Sequence, residues 1–195
     1  MTRSNLLDEQ DIASSAAAGN SEAMRQIYCR YAGVLTAVVA RYVVDDDAVR
    51  DVLHDALVKA FQGIAGFEYR GPGSLRAWLQ RIAVNEALAW LRMRKRLDVV
   101  SLDDDCLPID DVADADNDDA ALDSMERLDA AQLLELMKRL PDGQRTVLNL
   151  YAVEHRSHRE IAEILGISPE SSAAQLHRAR QKMIGMVRSF LDNRY

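Results

Sequence analysis

The residues best equipped for chemistry in this chain lie in one basic segment. Residues 74–96 read Ser-Leu-Arg-Ala-Trp-Leu-Gln-Arg-Ile-Ala-Val-Asn-Glu-Ala-Leu-Ala-Trp-Leu-Arg-Met-Arg-Lys-Arg, with six cations against one acid, Glu86. The chain's only two tryptophans, Trp78 and Trp90, are both here. Immediately before it, residues 63–73 hold four glycines and a proline together with Phe67, Tyr69 and Arg70. Cations that track phosphates and aromatic faces that receive unstacked bases suit single-stranded nucleic acid. An asparagine such as Asn85 can both donate to and accept from a base edge. The competing reading is that both tryptophans are ordinary core, because large aromatics are mostly buried.

A second set lies at 157–180, which reads Ser-His-Arg-Glu-Ile-Ala-Glu-Ile-Leu-Gly-Ile-Ser-Pro-Glu-Ser-Ser-Ala-Ala-Gln-Leu-His-Arg-Ala-Arg. Ile161, Ala162 and Leu165 form an apolar stripe at helical spacing. Gly166 stands where a helix stop favours a left-handed residue. Ile167 follows as a hydrophobic plug, and Ser168 can N-cap the next helix with Pro169 at its first position. Leu176 and Ala179 then face back onto the first helix, leaving Arg178, Arg180 and Lys182 to reach phosphates. The pattern predicts a helix-turn-helix rather than a plain helical hairpin.

Two such sets need elements to hold them. The chain has 195 residues and 48% apolar content, enough for one domain or two small ones. No run reaches the length of a membrane span, so no membrane insertion is expected. The polar start, 1–10, has no apolar signal core. Cys29 and Cys106 lack partner spacing, which points to a reducing cytoplasm, and Cys29 is expected to be a small buried hydrophobe. His54, His155, His158 and His177 complete no ligand motif, so neither metal nor cofactor is expected. The net charge of −7 opposes a nucleic-acid partner until it is located. Residues 98–124 contain eleven aspartates and no Lys or Arg, and the flanking parts are slightly basic. Such a like-charge block reads as an extended linker between two domains, 1–97 and 125–195.

Periodicity predicts an all-α fold. Helices are expected at 11–18 and from an Asn20 or Ser21 cap, with Met24, Ile27, Tyr31, Val34, Leu35 and Val38 inward. The next starts at Asp45-Asp46-Asp47 and ends at Gly63. Ser74 is expected to cap the basic helix, with Leu75, Leu79, Ile82, Ala83 and Leu91 toward the core. After the linker come helices at 121–139 and 143–153 and then the helix-turn-helix.

Residues 51–61 (Asp-Val-Leu-His-Asp-Ala-Leu-Val-Lys-Ala-Phe) followed by 77–85 (Ala-Trp-Leu-Gln-Arg-Ile-Ala-Val-Asn) resemble region 2 of the extracytoplasmic-function sigma factors. Leu140-Pro141 through Arg180 resembles their region 4. The order also matches: region 2, a variable linker, region 4. The resemblance spans roughly 20–96 and 125–190. It implies a cytoplasmic, nucleoid-associated initiation factor without catalytic residues. Its implied partners are core RNA polymerase, through the β′ clamp and the β flap, promoter DNA, and an anti-sigma protein.

Residue by residue, the resemblance puts polymerase contact on Asp51, His54 and Asp55, where the family more often has Gln and Glu at the last two. The competing reading of Asp51 and Asp55 is a solvated i, i+4 face of a helix. It puts capture of a flipped −10 base on Phe67, Tyr69, Arg70 and Gly71, and strand melting on Trp78, Arg81 and Asn85. The −35 contacts fall on Ala173, Ala174, His177 and Arg178, with Arg159 and Arg180 for phosphates. Many members have Lys and Arg at 173 and 175 and Val at 172, so two cations are missing here. Ser172 brings a hydroxyl to a packing position, where it can bond back to the Ser168 carbonyl. The acidic linker can be a repelling spacer, or it can mimic nucleic acid within polymerase channels. A stand-alone helix-turn-helix regulator leaves Trp78 and Asn85 unexplained, and an adaptor acting through the acidic stretch leaves the basic helices unexplained. An enzyme has no nucleophile, base and oxyanion set here.

Overall fold

The computed structural model describes residues 8–97 and 128–192, which form two compact units. The acidic linker and the first part of the helix expected at 121–139, residues 121–127, lie outside the described residues. Among the described residues there is no strand. None of their helices is long and apolar enough to cross a membrane.

The first unit contains α1 (Glu9–Ala17), α2 (Ser21–Ala40), α3 (Asp46–Gly63) and α4 (Ser74–Leu97), with a 3-10 turn at Ile64–Gly66. Side-chain caps set the starts. Asn20 accepts from the Glu22 and Ala23 backbone N–H groups, and Asp45 accepts from that of Ala48. Each cap satisfies donors that the first turn leaves without partners. Ile27, Tyr31, Leu35 and Val38 bury one face of α2, and Val49, Val52, Ala56, Leu57 and Ala60 bury one face of α3. Leu75, Leu79, Ala83 and Ala87 supply the matching face of α4. Cys29 corrects its expectation: it is exposed, because two residues from both Ile27 and Tyr31 it falls on the helix face opposite the one they turn inward.

The second unit contains α5 (Ala130–Lys138), α6 (Asp142–Ala152), α7 (His158–Leu165) and α8 (Pro169–Asp192). An unbroken helix over 121–139 does not form. Asp129 is extended and starts a capping box with Gln132, so α5 begins there. Leu136, Met137 and Leu140 pack with Ala179, Met183 and Val187. Ala179 therefore joins the α5 side of the core rather than only closing onto α7. Arg145 is 2% exposed and donates to the Leu140 carbonyl at 2.8 Å and to Asp142 at 2.6 Å. Those bonds offset the cost of burying a guanidinium.

Candidate nucleic-acid interface

In the first unit the candidate site forms around the entry to α4. Pro72-Gly73 makes a tight turn in which the Ser74 N–H donates to the Gly71 carbonyl at 3.1 Å and Gly73 has φ +86°. Proline followed by a glycine at positive φ is the pattern of a type II turn. Ser74 does not cap α4 as expected. It is the first helical residue, and its hydroxyl accepts from the Arg70 N–H at 3.3 Å, tying the preceding loop to the helix.

From that start, Trp78, Arg81 and Asn85 fall one and two turns apart on a single face. Trp78 is half-buried, while Arg81 and Asn85 are exposed. Phe67 closes on Trp78 with ring centroids 5.3 Å apart and planes tilted by 49°. A methyl group at Gly63 would lie 3.8 Å from the Trp78 indole, so the end of α3 also borders that ring. Tyr69 is half-buried, and Arg70 is exposed and paired with Glu68 at 3.2 Å. Burial and then the Asp8 and Glu9 carboxylates raise the Tyr69 hydroxyl above its ordinary range. The loop and α4 thus place two aromatics in contact beside a cation and an amide. Trp90 is half-buried, with the Arg94 guanidinium 5.4 Å from its ring centre. Neither tryptophan is fully sequestered.

Asp51, His54 and Asp55 are exposed along one face of α3. The face continues into Val58, a 39% exposed aliphatic absent from the sequence expectation. On the neighbouring edge Lys59 reaches across to Glu86 of α4, at 2.7 Å to both carboxylate oxygens.

In the second unit the helix-turn-helix forms as its residues predict. Gly166 takes the left-handed conformation (φ 67°, ψ 39°), and the Ser168 hydroxyl accepts from the Ser171 N–H. Sequence reasoning missed the start of α7, a capping box in which Ser157 and Glu160 exchange bonds. Its signal, Ser-x-x-Glu, was legible. Bonds from Ser157 and then Arg156 hold the Glu160 carboxyl down to about 2. Ser172 corrects its expectation. It is 0% exposed, and its hydroxyl lies 3.0 Å from His158 Nδ1, so it links α8 to α7 instead of bonding back along α8. His158 in turn stacks on Tyr151 with centroids 5.0 Å apart, and Arg180 sits 5.5 Å from the centre of that tyrosine ring.

Ala173, His177, Arg159 and Arg180 are exposed, whereas Ala174 and Arg178 are half-buried. Gln175 is half-buried, and its Oε1 lies 2.8 Å from where a methyl at Gly143 would project. It faces α6, so position 175 is a packing position here. The missing outward charge of the recognition helix reduces to Ala173.

The chain resembles known proteins along most of its length. The description "Sigma-70 region 2" matches residues 27–97, and "Sigma-70, region 4" matches residues 130–183. The RNA polymerase sigma factor CnrH of Cupriavidus metallidurans is 26% identical over 178 residues, covering 90% of this chain and 92% of that protein. The ECF RNA polymerase sigma-E factor of Escherichia coli is 27% identical over 196 residues, covering 96% and 98% respectively. The solved structure of CnrH in complex with the cytosolic domain of CnrY aligns at 24% identity and a TM-score of 0.48, covering 93% of this chain and 97% of that one. With both conserved regions matched in order, the chain belongs to the sigma-70 family of RNA polymerase sigma factors, as one of the extracytoplasmic-function type.

Proposed function

We propose that the first unit docks on the polymerase β′ clamp through Asp51, His54 and Asp55 of α3 and opens the −10 element through the loop at 67–71 and α4. Phe67, Tyr69, Arg70 and Gly71 receive one unstacked base, while Trp78, Arg81 and Asn85 hold the strand. The second unit, beside the β flap, contacts the −35 element with Ala173, Ala174, His177 and Arg178, and Arg178 joins Arg159 and Arg180 in gripping phosphates. The chain performs no covalent chemistry. It works in the cytoplasm alongside polymerase and is restrained by an anti-sigma protein. The observation that carries this reading is the contact of Phe67 with Trp78 beside exposed Arg81 and Asn85. A duplex-reading regulator needs no such cluster, whereas a strand-capturing factor does.

The test is reconstitution with core polymerase and run-off transcription from templates whose upstream blocks are randomised. Transcripts should share two separated blocks, and Trp78→Ala with Asn85→Ala should abolish selection in the downstream block alone. Binding of duplex DNA without polymerase, and no transcript with it, would favour the stand-alone regulator.

A further inference from the structure

One carboxylate holds the turn that starts α4. Glu9 is the first residue of α1 and only 6% exposed. Its Oε1 accepts from the Tyr31 hydroxyl of α2 at 2.8 Å, and its Oε2 accepts from the Gly73 backbone N–H at 2.6 Å. That N–H precedes the first turn of α4, among the donors a helix start leaves without partners. An anion is favoured there because the helix dipole is positive at that end. Three elements therefore converge on Glu9: α1, α2 and the turn between Gly71 and Ser74. The same carboxylate and Asp8 act on Tyr69, within the loop. The match to region 2 begins at residue 27, so Glu9 and α1 lie outside it.

We infer that Glu9 is a positioning residue for base selection: it fixes the loop at 67–73 against α4 so that Phe67, Tyr69 and Trp78 form one shaped pocket. The inference rests on the −10 reading proposed above. Glu9 itself does not touch DNA, since it is buried and both its oxygens are engaged. Its effect passes through Gly73. A flipped base recovers its unstacking cost only from a pocket that fits it. A recognition site must hold its groups to about 0.5 Å, and it does so through supporting contacts of this kind. Without Glu9 the turn keeps its own bond, the Ala77 N–H bond to the Gly73 carbonyl and the Ser74–Arg70 bond, none of which ties it to α1 or α2.

The experiment uses holoenzyme assembled from the full chain and core polymerase. It transcribes templates randomised in both promoter blocks, and the transcripts are sequenced. In Glu9→Ala, the preference for the favoured base at the captured −10 position should fall about tenfold, the scale of one charge-assisted hydrogen bond. Preferences in the −35 block and affinity for core should stay at wild-type values. Glu9→Gln keeps the side chain's shape and one acceptor oxygen, and should fall between. Tyr31→Phe leaves the Gly73 bond in place and should retain most of the discrimination. Wild-type −10 preference in Glu9→Ala would overturn the inference. So would a parallel loss of −35 preference and core affinity, which would make Glu9 a residue of general stability. If Trp78→Ala with Asn85→Ala leaves −10 preferences intact, the −10 reading itself falls, whatever Glu9 does.

Discussion

Arg178 is the residue whose loss should cost the second unit most in DNA binding. Ala173 offers no charge, so the recognition helix relies on few cations. In the proposed −35 complex, Arg178→Ala should weaken holoenzyme binding and lower the slope of log affinity against log salt by about 0.9, the value for one phosphate contact. Fluorescence anisotropy across a salt series measures both, and an unchanged slope would remove Arg178 from the phosphate contacts. Tyr31 gives a second test at this scale. Burial first and then the bond to Glu9 push its hydroxyl up to about 12. A raised value means that its contribution to stability is complete below the unfolded value near 10 and is lost as pH climbs toward 12. Ultraviolet titration of phenolate should therefore show one tyrosine ionising near 12, absent in Tyr31→Phe.

Among the elements, α7 depends most on its cap. Its eight residues are too few to be stable alone, so the Ser157–Glu160 box and burial of Ile161 hold it. Ser157→Ala should cost about 1 kcal/mol of stability for the second unit, read from chemical denaturation. Glu160 has a folded value depressed to about 2. Its contribution is thus present above its ordinary value near 4.5 and disappears as pH falls through 2. Acid titration of helix content should lose part of this limb in Glu160→Gln. Helix starts and stops of this local kind were legible in advance: Asn20, Asp45, Gly166 and Ser168 each act within four residues. What escaped the sequence acts at a distance or by competition. Glu9 finds its partners 22 and 64 residues away, which no periodicity reveals. Ser74 looked like a cap, yet Gly73 stands at that position and frees the serine hydroxyl for Arg70. Ser172 finds His158 fourteen residues earlier, across the turn.

For the whole molecule the question is where charge is placed. The negative total belongs to 98–124, while each flanking unit is slightly basic. If that acidic stretch occupies cationic channels of polymerase, changing six of its aspartates to asparagine should weaken core binding and alter the yield of abortive RNA. Equal values for both would leave it a spacer. The bridge between Lys59 and Glu86 extends the same logic inside the first unit. Glu86 is the one acid of the 74–96 segment, and Lys59 meets both its oxygens. Lys59 thereby acts as a resident counter-ion. In the proposed −10 complex, a DNA strand approaching α4 would meet arginines whose field Glu86 does not cancel, because Lys59 already neutralises it. In that complex, replacing Lys59 would leave Glu86 as an uncompensated negative charge beside those arginines, so α4 would hold a strand less tightly at a given ionic strength.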